Sequence, residues 1–359
     1  MEWNVLVRNG VLQLQDPGPP LLFLRSQLPG AYTTTRSSDN ASRILFWDRH
    51  VERLAQSIEI LANEKPCGFS IDPAKFPCFV DYLKSLLQRS LQIGLQRALE
   101  LRSEYEELLI MAYIPGELDK CTEQEQTTCK GLDKINTQDH EGLEVYVHIS
   151  RFLPPLSEAS NPIRVAIMGF GRIVPNAKHT DWIKARKALE KARPEGVMEI
   201  ILSNDGDLLL EGMVTNFFVV SNRVNTGVKV PLTEDKRWKG VVLQTAPLKG
   251  VLPGVIRKLI LEICDEHGIP CEQTSPSWQG RESWTEAFTT NSVRLIQSIS
   301  SIQGSPVHRD GTNEPHYWQQ DSWEYLSLQA PGKLTQFIEN QILEKAAIFS
   351  LSVNSVLKV

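Results

Sequence analysis

Short strand-like apolar runs alternate with segments of helical period along the whole 359-residue chain, and no internal repeat interrupts them. That pattern reads as a mixed α/β (α+β) protein in which helices cover sheet. Strand-like runs stand at Trp3–Arg8, Leu21–Leu24, Ala31–Thr35 and Ile44–Phe46. From Asp48, a reasonable N-cap, the period becomes helical, with Val51, Leu54, Ile58 and Leu61 on one face. A second helical stretch over residues 77–104 has Phe79, Tyr82, Leu86, Leu91, Leu95 and Leu99 on its apolar side. Leu108–Tyr113 and Val145–Ile149 read again as strands.

Residues 1–153 are therefore expected to form a smaller N-terminal α/β domain. Within it, the polar stretch 116–142 has almost no large apolar side chains and reads as a surface excursion. Residues 154–162, with three prolines, are the linker candidate. Residues 163–359 then form a larger mixed β/α domain. It opens with a buried strand, Ile163–Met168, followed by a helix over 181–191. Val197–Leu202 and Leu208–Glu211 flank Asn204-Asp205-Gly206, a strong hairpin signal. Asn216–Val220 is another apolar strand, and a helix begins at Val255 after Leu252-Pro253-Gly254. The terminal segment 351–359 has no evident role.

A formal net charge of -5 gives no broad attraction to nucleic acid or to an anionic membrane. An anion bound by such a chain must be captured by locally placed groups. No apolar run approaches a membrane span, and the amino terminus resembles neither a signal nor a transit peptide. The six cysteines form no Cys-x-x-Cys pair, and His267 beside Cys264 and Cys271 lacks a second half-site, so no metal is expected. A cytoplasmic protein with reduced thiols is the expectation.

Lys178 stands out by position, between a buried strand and a helix in Pro175-Asn176-Ala177-Lys178-His179-Thr180-Asp181-Trp182. Taken alone it reads better as an ordinary surface lysine before a helix. Its neighbours in the sequence change that. Gly30-Ala31-Tyr32-Thr33-Thr34-Thr35-Arg36 is followed by Phe46-Trp47-Asp48-Arg49-His50-Val51-Glu52-Arg53-Leu54. Beyond Lys178 come Glu211-Gly212-Met213-Val214-Thr215-Asn216-Phe217-Phe218, Leu252-Pro253-Gly254-Val255-Ile256-Arg257 and Thr290-Asn291-Ser292. Over residues 25 to 300 this order resembles the class IV pyridoxal-phosphate aminotransferases. That fold type IV family includes D-amino acid and branched-chain aminotransferases and 4-amino-4-deoxychorismate lyase.

The resemblance implies pyridoxal 5'-phosphate as cofactor, held as an imine on Lys178. It implies Glu211 beside the pyridine nitrogen, where a carboxylate favours the pyridinium. It implies a phosphate site made by Arg53, by the backbone N–H groups of Val255 and Ile256 at a helix start, and by Ser292. Tyr32 and Arg36, four apart on a strand and so on one face, are the candidates for the substrate carboxylate. Arg172 is a candidate for the cofactor's phenolic oxygen. The implied activity is transamination between a small amino acid and a 2-oxo acid in a homodimer. A lyase of the aminodeoxychorismate type and a non-catalytic cofactor-binding relative are the alternatives. The chain departs from the family in lacking a Gly-Asp-Gly lead-in before Gly30 and a tyrosine shortly after Lys178, and in an expanded segment over 226–240.

Overall fold

The structure, a computed structural model, describes residues 2–64, 76–116, 143–154, 161–222, 236–305 and 323–358. The expected excursion at 116–142, most of the linker at 154–162 and most of 226–240 lie outside the described residues. The elements run β1 (Asn4–Arg8), β2 (Val11–Leu12), α1 (Pro20–Ser26), β3 (Gly30–Ser38), β4 (Arg43–Ile44), α2 (Trp47–Asn63), α3 (Phe76–Leu101), β5 (Glu107–Pro115) and β6 (Tyr146–Phe152). They continue with β7 (Ile163–Ile167), α4 (Thr180–Ala185), α5 (Lys187–Ala192), β8 (Glu199–Ser203), β9 (Leu209–Gly212), β10 (Asn216–Asn222), β11 (Val241–Thr245) and α6 (Val255–Glu266). The last are β12 (Cys271–Glu272), β13 (Trp284–Asn291), β14 (Leu295–Gly304), β15 (Glu324–Ser327), α7 (Lys333–Phe349), β16 (Leu351–Ser352) and α8 (Val353–Leu357).

Two sheets result. The first has the order β16-β4-β3-β5-β6-β1-β2. On one of its faces lie α2 and α3, whose Val51, Leu54, Leu87, Leu91 and Leu95 bury against Ile110, Val147 and Ile149. Its other face presents Tyr32, Met111 and Tyr113 to Phe23 and Leu24 of α1 and to Ile183 of α4. The second sheet has the order β12-β11-β10-β13-β14-β7-β8-β9, with β15 on β14. Because β9 also pairs with β10, through the single register pair Glu211 and Asn216, six of these strands close into a barrel. Its interior holds Val165, Ile201, Phe217, Trp278, Trp284 and Ile299. Among the described residues no helix is long and apolar enough to cross a membrane.

Several local expectations change. Leu21–Leu24 is not a strand but part of α1: Pro20 sits in the first turn, where its missing N–H costs nothing, and Phe23 and Leu24 supply the buried side. A four-residue apolar run does not by itself distinguish the two states. Asp48 is not the N-cap of α2. That position is Phe46, in the left-handed region at φ 49°, while Asp48 lies in the first turn and pairs with Lys84 of α3 at 2.9 Å. The single helix expected over 181–191 is two, jointed at Arg186. The hairpin at Asn204-Asp205-Gly206 forms as expected between β8 and β9.

The C-terminal segment has a structural task. Leu351 and Ser352 pair with Ile44 and Arg43 of the first sheet, and α8 seats Val353 and Val356 in the core beneath α3. The end of the chain thus returns to the sheet built by its beginning. Val356 is 1% exposed, so Val356→Ala removes two buried methyl groups. The expected loss is about 2 kcal/mol in urea-induced unfolding. A change within about 0.5 kcal/mol, the range of surface substitutions, would show that the tail is not part of this core.

Candidate active site

Between the second face of the first sheet and the mouth of the barrel lies a cavity of about 370 Å³, within the ~300–1,000 Å³ usual for small-molecule sites. Tyr32, Arg53, Arg172, Lys178, Glu211, Val255, Ile256 and Ser292 all line it, so eight of the nine expected residues converge. They come from β3, α2, the loop after β7, β9, the start of α6 and the turn after β13.

The backbone fixes Lys178 from two directions. Its N–H donates to Ser57 Oγ on α2 at 3.0 Å, and its carbonyl accepts from Tyr32 N on β3 at 3.0 Å. A bridge between Ala31 and His179 and a bond from Gly30 N to Thr180 Oγ1 at 3.1 Å extend that seam. The amine Nζ stands 4.6 Å from the centre of the Tyr32 ring. Burial holds the Lys178 amine well below its ordinary value of 10.5, reinforced by Arg53, Arg172 and Arg186 and opposed by Glu211. The Tyr32 hydroxyl is pushed up, chiefly by burial.

Glu211 is engaged on both oxygens. Oε1 receives Arg172 Nε at 2.7 Å in a pair whose side chains are each 4% exposed, and Oε2 accepts Leu252 N at 2.9 Å. Burial raises the carboxyl pKa, while Arg172 and the Leu252 N–H oppose the rise. Arg172 also donates to the carbonyls of Pro175 and Ala177. It stands at the expected acid rather than free for a phenolic oxygen. Two glycines permit the close approach of these segments. A Cβ on Gly212 would meet Thr215 Oγ1 at 1.9 Å, and one on Gly254 would meet Asn216 Oδ1 at 2.1 Å. Asn216 in turn donates to Leu252 O at 2.9 Å, holding the loop that leads into α6.

Arg53 is 5% exposed, and burial lowers its pKa from 12.5 to about 10, so it stays charged near neutrality. Its Nη2 donates to Thr33 Oγ1 at 2.8 Å, and that hydroxyl is then left to donate to His50 Nδ1, also at 2.8 Å. His50, held well below 6.5 by burial and by Arg53 and Lys178, is neutral and carries its proton on Nε2. Arg53 Nε is buried without a partner among the described residues, as is Oγ1 of cavity-lining Thr290. One turn before Arg53, Arg49 ties α2 to α6 by paired bonds to Glu262 at 2.8 and 2.9 Å.

Arg36 is the expected residue the structure does not bring in. It shares a strand face with Tyr32, as alternation requires, but the cavity ends at Thr34. The Arg36 guanidinium instead donates to Val293 O at 2.6 Å and to Ser37 O, and lies over the Phe152 ring. Conversely, Arg186, Trp182, Thr34 and Thr290 line the cavity without having been singled out. The Thr34 position follows from strand alternation. No sequence signal distinguishes Arg186 from the other basic residues of its helical segment.

The family model of class IV amino-transferases matches residues 124–302 of the chain. No curated protein sequence matches it. Solved structures share its fold at low identity. A branched-chain aminotransferase from Thermoproteus uzoniensis with norvaline is 18% identical with a TM-score of 0.59, the match covering 98% of this chain and 100% of that one. A hypothetical aminotransferase from Mycobacterium tuberculosis in a PLP-bound form is 13% identical, with a TM-score of 0.57 over 95% and 98% of the two chains. A 4-amino-4-deoxychorismate lyase from Pseudomonas aeruginosa is 14% identical, with a TM-score of 0.55 over 94% and 98%.

The depressed amine carries a stability consequence. Between its folded value and the unfolded 10.5, only the unfolded chain keeps the lysine proton, so this group makes stability rise with pH. Lys178→Met removes the cost of burying the charge. In cofactor-free protein the melting temperature is expected to rise by a few degrees near neutral pH, with the gain vanishing as pH approaches 10.5. A substitution that lowers the melting temperature, or whose gain grows with pH, would contradict this assignment.

Proposed function

We propose that the chain binds pyridoxal 5'-phosphate in this cavity and transfers an amino group between a small amino acid and a 2-oxo acid. The observation that carries the reading is the desolvated Lys178 amine in one cavity with the buried Glu211–Arg172 pair and a separate cationic cup. The residues present fit the cofactor. A phosphate would answer the partnerless Arg53 Nε and Thr290 Oγ1 and receive Ser292 and the N–H groups that open α6, where Gly254 admits a close approach. Glu211 would face the pyridine nitrogen, held in place by Arg172 and Leu252 N.

When bound, the cofactor supplies an electron sink for the bond broken at the substrate's α-carbon. The protein supplies the rest. A lysine whose proton affinity burial lowers is a more competent nucleophile toward a carbonyl and, once released, a base for the α-proton. Arg172 and the Leu252 N–H oppose the rise that burial imposes on the Glu211 carboxyl, and as a carboxylate it would give a protonated ring nitrogen a counter-charge. Tyr32 closes one side of the lysine and excludes water there. The leading alternative is a lyase, in which the same lysine returns the proton to a leaving fragment.

Both parts can be measured. Arg53→Met is expected to weaken pyridoxal phosphate binding, followed by fluorescence titration, by about tenfold or more, since a charge-assisted contact is lost. Unchanged affinity would remove Arg53 from the phosphate site. Incubation of loaded protein with a donor amino acid, without acceptor, is expected to leave the cofactor as its amine, with one equivalent of oxo acid formed. Recovery of the aldehyde form after each turnover would replace transamination by the lyase reading.

A further inference from the structure

Three arginines border the cavity, and two of them are committed. Arg172 is paired to Glu211, and Arg53 lies deep on Thr33 beside the start of α6. Arg186 is placed differently. It forms the joint between α4 and α5, is 8% exposed and lines the cavity on the side of α1 and Trp182. Its Nε donates to Glu190 Oε1 at 2.9 Å. Its two terminal nitrogens have no partner among the described residues.

Glu190 has a second cation to serve, because Oε2 pairs with Arg25 of α1. The string Arg25–Glu190–Arg186 therefore couples α1 to α5, and α1 also supplies Leu21 and Leu24 to the cavity wall. Two guanidinium groups share this carboxylate, and the buried Glu199, whose pKa burial raises, is also near enough to act on Arg186. Glu190 grips the Nε side of Arg186. The outer edge, two parallel N–H groups, is the edge that takes a carboxylate in a bidentate pair. Around it the lining is mostly apolar, with Met111, Ile183 and Met213 besides the two leucines. Arg186 is also near enough to act on both the Lys178 amine and the Tyr32 hydroxyl.

We propose that Arg186, oriented by Glu190 and Arg25, anchors the carboxylate of the substrate, and that the remainder of that substrate is apolar. This takes the place expected for Arg36, whose guanidinium is spent on the turn after β13. The assignment rests on the cavity being the aminotransferase site of the preceding reading, with Arg53 and not Arg186 holding the phosphate.

The test is a calorimetric titration with isocaproate, an unreactive branched carboxylate, and with isocaproamide, its neutral counterpart. Wild type, Arg186→Gln and Arg186→Lys are compared, each with and without pyridoxal phosphate. Isocaproate is expected to bind wild type at least tenfold more tightly than Arg186→Gln, with Arg186→Lys between them and cofactor affinity unchanged. Isocaproamide is expected to bind all three alike. Equal binding of isocaproate to wild type and Arg186→Gln overturns the assignment. Loss of cofactor affinity in that variant does so as well, by moving Arg186 to the phosphate. Should Arg186→Gln not fold, Arg186→Lys decides alone: weaker isocaproate with unchanged isocaproamide supports the anchor, and unchanged isocaproate refutes it. A wild type that binds no cofactor defeats the aminotransferase reading, while the cofactor-free titrations still report on the carboxylate site.

Discussion

The site depends on a short backbone seam. Lys178 passes its carbonyl to Tyr32 N of one sheet and its N–H to Ser57 of the helix covering that sheet, while its own loop belongs to the other. Those bonds, with the bridge from Ala31 to His179, bring β3 and the barrel mouth against each other at one residue. Everything the cavity offers is then set by which elements end near that seam. β9 delivers Glu211, α6 delivers its N-terminus, α2 delivers Arg53, and the joint between α4 and α5 delivers Arg186.

Electrostatics follows from this crowding. Three guanidinium groups and an amine meet one buried carboxylate in the cavity, in a chain whose overall charge is negative. A low-dielectric site with such an excess lowers the proton affinity of its lysine and favours the binding of anions. A cofactor phosphate and a substrate carboxylate are two anions, and the free arginine edges lie in two places. Arg53 lines the cavity with the start of α6 and Ser292, where the proposed phosphate would sit. Arg186 sits by the apolar wall of α1. The division of labour is therefore spatial as well as chemical.

Much of this was legible in the sequence, for local reasons. Gly254 before Val255 marks a helix start, and the run from Glu211 to Phe218 marks a strand pair with a tight connection, whose Gly212 is required by the approach of Thr215. What escaped depended on distant partners. Leu21–Leu24 is helical because α1 packs Phe23 and Leu24 on the first sheet, which four apolar residues cannot announce. Arg36 and Tyr32 do share a face, yet only the position of Val293, 257 residues away, decides that Arg36 is used elsewhere. Arg172 finds Glu211 across 39 residues, and the carboxyl-terminal strand finds β4 across the whole chain. Arg186 gives no signal at all until the fold places it at the rim.

The central claim is that Lys178 is the residue that takes the cofactor. Reduction of pyridoxal-phosphate-loaded protein with borohydride, followed by peptide mass spectrometry, reads this directly. The account predicts a stable phosphopyridoxyl adduct on Lys178 in near-stoichiometric yield, absent from Lys178→Ala. An adduct on another lysine, or none on a protein that has retained its fold, would contradict it.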